Sequence, residues 1–152
     1  MVLIPLVTFG LYPGMKRIGL PLSPLRRMTI GMAVTSLAFV AVALIQARLD
    51  GGQRMHVAWQ LIPFALLTLG EVMVSITGLE FAYSQAPKRM KSTIMSLWQL
   101  TVTLGNVLVA LLATFGGLEL VNFFWVFAGL MALAAVLFGT VATFYKARDY
   151  TQ

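Results

Sequence analysis

The sequence predicts an all-α integral membrane protein, and three observations carry that reading. Hydrophobic residues make up 59% of the chain and charged residues only 11%, against about 45–50% and about 25% in soluble globular domains. The aliphatic residues fall in unbroken blocks of bilayer-crossing length. The charged residues punctuate those blocks instead of forming a face. A soluble core needs a polar coat, and too few polar side chains remain to build one. The formal charge of +6 is therefore not read as a nucleic-acid surface, because no basic face accompanies it. With no cysteine in the chain, a disulfide framework and a thiolate metal site are both excluded.

The elements follow in order, within one transmembrane helical domain over residues 1–152. Residues 1–13 read as a partial helix. Met1 leads straight into Val2-Leu3-Ile4-Pro5-Leu6-Val7, with no basic residue before it as a signal peptide requires. Tyr12-Pro13-Gly14 closes the run. A dozen helical residues cover roughly 18 Å of a hydrocarbon core about 30 Å thick, so this stretch reads as the last half of a helix. Ser23-Pro24 is a helix-start signal, since the hydroxyl can cap an orphan N–H and proline is tolerated at the first helical position. Span one is predicted over about residues 24–49, ended by Asp50-Gly51-Gly52-Gln53. Span two covers about 57–83, with Trp59 and Tyr83 near the two membrane interfaces. Ala86-Pro87 terminates it, because a residue before proline avoids helical backbone angles. Span three covers about 90–115 and ends at Gly116-Gly117, and span four covers about 120–145. Each has about 26 residues, or roughly 39 Å of helix, enough to cross with some tilt.

Lysine and arginine set the expected orientation. Lys16, Arg17, Arg26 and Arg27 flank the first loop; Lys88, Arg89 and Lys91 flank the loop after span two; Lys146 and Arg148 follow span four. Alternating spans place these groups on one side, with only Arg48, Arg54 and the acidic Glu119 opposite. The Lys88–Lys91 loop and the C-terminus are thus predicted to be cytoplasmic.

Glu71 is the main candidate for chemistry. It lies near the middle of span two, in Leu69-Gly70-Glu71-Val72-Met73, and no basic residue of the chain lies at that depth. A carboxyl group there costs several kcal/mol unless it meets water or a partner, and such residues mark substrate or ion pathways. The alternative is a protonated carboxyl bonded to a neighbouring helix. Ser75 and Gly78 continue the same helical face, as a cavity lining or as a close helix-packing stripe. Glu80, nine residues beyond Glu71, points to the opposite face near Lys88 and Lys91. It reads as a structural ion pair or a gate contact, with a proton relay as the weaker reading. Trp98 lies deeper in span three than an interface anchor would, and is either a pocket wall or simple packing. Asn106 reads as helix–helix glue and His56 as a solvated loop residue. No nucleophile–base pair, phosphate loop or ligand cluster is present in the sequence. An enzyme would also need a second catalytic group at the depth of Glu71, so an enzyme is not expected.

The run Gly70-Glu71, Ser75-Ile76-Thr77-Gly78-Leu79-Glu80-Phe81-Ala82-Tyr83-Ser84-Gln85-Ala86-Pro87 and Met90-Lys91-Ser92 resembles the proton-coupled oligopeptide transporters (the POT or peptide transporter family) of the major facilitator superfamily. Upstream, the Pro-Leu-Arg-Arg-Met-Thr-Ile-Gly-Met stretch of span one is similar to the same family, and the likeness covers nearly the whole chain. It implies part of the C-terminal six-helix half of that fold, from the end of helix eight through helix twelve. It further implies that Glu71 meets the peptide's amino terminus, that Ser75 is its polar neighbour, and that Trp98 is a pocket wall. The partners implied are di- or tripeptides and protons within a lipid bilayer, with the proton gradient as driving force and no cofactor. The expected function is the C-terminal portion of a proton-driven di-/tripeptide symporter in a bacterial-type inner membrane or a plasma membrane. The first half of the family's fold, with its proton-coupling and carboxylate-binding residues, has no counterpart in the sequence, and transport is expected to require it. The alternative is a truncated or accessory membrane protein without transport of its own.

Overall fold

The computed structural model describes residues 23–87, 89–115, 117 and 119–145; the expected partial helix at 1–13, Lys88 and the C-terminal tail lie outside the described residues. Four helices long and apolar enough to cross a membrane are present: α1 (Pro24–Asp50), α2 (Leu61–Gln85), α3 (Lys91–Phe115) and α4 (Leu120–Phe144). No strand occurs among the described residues.

Local chemistry sets the ends. Ser23 Oγ accepts from Arg26 N at 3.4 Å, and Pro24 fills the first turn of α1, where its missing N–H costs nothing. At the other end Gly52 takes a left-handed φ of 78°, which lets Gly52 N and Gln53 N donate to the free carbonyls of Leu49 and Arg48 at 3.0 and 3.2 Å. A short 3-10 turn, Val57–Gln60, precedes α2, and His56 Nδ1 caps it by accepting from Ala58 N at 3.2 Å. His56, expected to be merely solvated, is therefore also a local cap. Pro63 sits in the first turn of α2, where no intrahelical donor is lost. Ala86, in extended conformation ahead of Pro87, ends α2.

α1 lies between α2 and α4, and α2 is the principal neighbour of α3. Small residues let α1 and α2 cross closely. A Cβ added at Gly70 would meet Thr35 Oγ1, and also the Gly31 carbonyl oxygen at 2.8 Å. One added at Gly31 would meet Met73 Cβ at 2.9 Å. Thr35 in turn donates to Gly31 O at 3.0 Å, so its hydroxyl is satisfied within α1. On its other side α1 offers Ser36, whose Oγ donates across to Ala128 O of α4 at 2.9 Å. Phe39 and Phe127 pack beside that bond, with ring centroids 5.9 Å apart.

Large apolar side chains remain exposed around these contacts, among them Leu37, Leu104, Leu133 and Val136 at 55–63%. In water such a surface would aggregate. In a bilayer such a surface suits lipid tails and further helices alike, while small residues and packing join the helices. Several threonine and serine hydroxyls on exposed faces are satisfied within their own helices, as Thr68 is by Phe64 O (2.8 Å) and Thr103 by Gln99 O (3.0 Å).

Candidate functional site

Gly70, Met73 and Thr77 of α2 are buried, and they mark the side of the helix turned to α1. Glu71, Ser75 and Gly78 fall within about 60° of arc on an adjoining side, at about 100° per residue. Glu71 and Ser75 are exposed there, and no ion pair holds Glu71 among the described residues. A carboxyl group at mid-helix is thus left open, on a side that α1 does not cover.

α3 meets the same side of α2. Gly78 is buried beneath the Trp98 indole: a Cβ there would meet Trp98 Cη2, with Met28 Cε of α1 at 3.1 Å. Trp98 itself is half-buried. The structure therefore brings Glu71, Ser75 and Trp98 to one side of α2, with the indole two turns along the helix from the carboxyl group. Backbone geometry explains the grouping, because residues seven apart return to nearly the same azimuth.

Glu80 is elsewhere. It lies about 180° around α2 from Glu71 and is exposed. The ion pair expected for it is not formed among the described residues. Lys91 instead places its Nζ over the Tyr83 ring, 3.9 Å from the centroid, a cation–π contact that ties the start of α3 to the end of α2. Asn106 is exposed on α3 and bonds no other helix among the described residues. Gly105 beside it also meets nothing within 4 Å, so the interhelical contact expected of Asn106 is not among the described residues.

At the opposite end of the helices, Phe39, Gln46, Gln60, Phe64 and Phe124 help to line an apolar cleft of about 380 Å³ between α1, α2 and α4. It does not include Glu71. Near the α2 C-terminus, Phe81 and Tyr145 stack edge to face at 5.9 Å and the Tyr145 hydroxyl donates to Gln85 Oε1 at 3.4 Å. No group of three or more His, Cys, Asp or Glu side chains converges among the described residues.

The seat that Gly78 provides for Trp98 was missed by sequence reasoning, as was the Gly31–Gly70 crossing. The signal for the second was present: Gly31 and Thr35 make a small-x-x-x-small pair of the kind that lets membrane helices approach.

Residues 1–118 match the model of the POT family. Among curated proteins, the chain is 45% identical to solute carrier family 15 member 2 of Danio rerio over 98 residues, which is 64% of this chain and 14% of that protein. The Homo sapiens protein of that name is 45% identical over 92 residues, 60% of this chain and 13% of the relative. Among solved structures, an auto-inhibited POT family peptide transporter superposes with a TM-score of 0.89 at 44% identity, covering 100% of this chain and 32% of that one. The POT family transporter PepTSo gives 0.87 at 46% identity, covering 98% and 32%. The chain thus spans about a third of the solved transporters it resembles and a smaller part of the curated relatives.

Proposed function

This chain belongs to the POT family, and from that premise we propose that it forms one wall of a proton-driven di- or tripeptide symporter, the wall that receives the peptide's amino terminus. It is an integral membrane protein with the helix arrangement of the POT transporters. The observation that carries the reading is the open Glu71 carboxyl group, at mid-helix with Ser75 beside it and Trp98 along the same side of α2. A carboxylate suits an ammonium group as a charge-assisted hydrogen-bond partner. An indole offers a flat apolar surface to a side chain.

Movement of the substrate would come from this wall rocking against a second one, built from the helices that precede this region in full-length relatives. Glu80 is assigned to a gate contact at the cytoplasmic end. The basic-residue asymmetry puts the turn at Arg89 and the C-terminus in the cytoplasm, of a bacterial inner membrane or a plasma membrane. The second reading, an accessory or truncated membrane protein without transport, shares the fold and differs only in whether a partner half restores uptake.

The chain has no cysteine, so single introduced thiols report cleanly. The host is a hybrid carrier that joins this chain to the preceding helices of a full-length relative, with any cysteine of those helices replaced by serine. Ser75→Cys should react with a water-soluble thiol reagent, and a dipeptide at about ten times its Kd should slow that reaction roughly tenfold. Ile76→Cys, about 140° around α2 from Glu71, should show no protection. In intact cells Gly51→Cys should react from outside and Arg89→Cys should not. Equal protection at 75 and 76, or labelling at 89 but not at 51, would contradict the reading.

A further inference from the structure

We infer that Gly78 is a positioning residue: by seating the Trp98 indole flush against α2, it sets how long a peptide fits beside Glu71. The inference rests on the peptide-wall reading above and adds a size limit to it.

Glu71 and Gly78 are seven residues apart on one side of α2, about 10.5 Å along the helix axis. An extended tripeptide spans about 10 Å. A peptide whose ammonium group sits at Glu71 and whose chain runs along α2 towards the cytoplasmic end therefore reaches the level of Gly78 with its third residue. At that level the surface is the Trp98 ring. The ring lies where it does because residue 78 has no side chain. Any Cβ would meet Trp98 Cη2 directly and Trp98 Cζ3 at 3.1 Å, with Met28 Cε also at 3.1 Å on the α1 side. Ordinary van der Waals contact begins at 3.4 Å, and Met28 is itself buried. The indole is the freer of the two neighbours, since it is half-buried and its tip is the far end of a side chain. A methyl group at position 78 therefore swings the ring off α2, into the space in front of the Glu71 side. A dipeptide ends before that level and a tripeptide does not. The glycine is not required by backbone angle, because α2 is regular helix there; it is required by the ring.

The test uses the hybrid carrier with every other tryptophan replaced by phenylalanine, Trp59 and Trp125 of this chain among them, leaving Trp98 as the sole indole. Gly78→Ala should shift the Trp98 emission maximum. It should also raise KM for trialanine about tenfold more than KM for dialanine, the scale expected of one methyl group in a close contact. Gly78→Ala combined with Trp98→Phe, which removes the ring atoms that the methyl group meets, should return the ratio of the two KM values toward that of the Trp98→Phe carrier alone. Equal KM changes for the two peptides, an unmoved emission maximum, or a ratio that the second substitution leaves unrestored would each overturn the inference. These outcomes are separate from failure of the peptide reading itself, which would appear as no dialanine uptake by the unsubstituted hybrid.

Discussion

Glu71→Gln in the hybrid carrier is expected to cost ten- to a hundred-fold in affinity for peptides with a free amino terminus, and much less for amino-blocked ones. Glutamine keeps the length and shape of the side chain and removes its charge. A hydrogen bond to a charged group contributes roughly 1.5–3 kcal/mol, and each 1.4 kcal/mol is about tenfold in Kd. No other carboxyl group among the described residues lies on this side of α2. Among the described residues no ion pair engages Glu71, and Glu80 is about half a turn away around the helix. Competition of labelled dipeptide uptake by free and amino-acetylated dipeptides measures the difference. Equal losses for both classes would mean that Glu71 serves proton movement or packing in place of the ammonium group.

Gly70→Leu should weaken the α1–α2 pair more than any other glycine substitution within the described helices. Overpacking a tight contact costs about 1–3 kcal/mol and sometimes more. Here the obstacle includes backbone: the Gly31 carbonyl lies 2.8 Å from where the new Cβ must go, and Thr35 Oγ1 lies in its way. Thr35 is locked by its bond to Gly31 O. Relief therefore requires the two helices to separate, which also lifts the side of α2 that carries Glu71 out of register with Trp98. Gly105→Leu is the control, because a Cβ there meets nothing within 4 Å; its effect should stay within about 0.5 kcal/mol. Denaturation in detergent micelles, followed by helical circular dichroism, should show a lowered midpoint for Gly70→Leu alone.

The helices and their breaks were legible because they depend on local chemistry. Ser23 and Pro24 start α1, Gly52 turns the chain after it, and Ala86-Pro87 stops α2, each for a reason that the residue carries with it. Glu71 was legible for the same kind of reason, since a carboxyl group inside an apolar block is conspicuous in any arrangement. Which helix sides meet was not legible. In a bilayer the outer coat is as apolar as the interior, so α4 shows no polar stripe to give the phase of burial, and the polar stripe of α3 (Ser92, Ser96, Gln99, Thr103, Asn106) is exposed among the described residues. That is why the sequence names no partner for Asn106, and why it leaves Gly78 open between a cavity lining and close helix packing without pointing to Trp98. The contact of Lys91 with Tyr83 escaped the sequence for a different reason. The turn after Pro87 brings Lys91 to the level of Tyr83, and the sequence contains no measure of where a turn delivers a long, flexible side chain.

The central claim is that this chain supplies one wall of a two-walled peptide path. The most direct test is uptake of a labelled dipeptide into liposomes under an inward proton gradient, comparing the purified 152-residue chain with the hybrid that restores the preceding helices. The account predicts saturable, gradient-dependent uptake by the hybrid, abolished or sharply reduced by Glu71→Gln, and none by the chain alone. A single wall has nothing to alternate against. Saturable uptake by the 152-residue chain alone, lost with Glu71→Gln, would contradict it and would mean that copies of this chain build both walls.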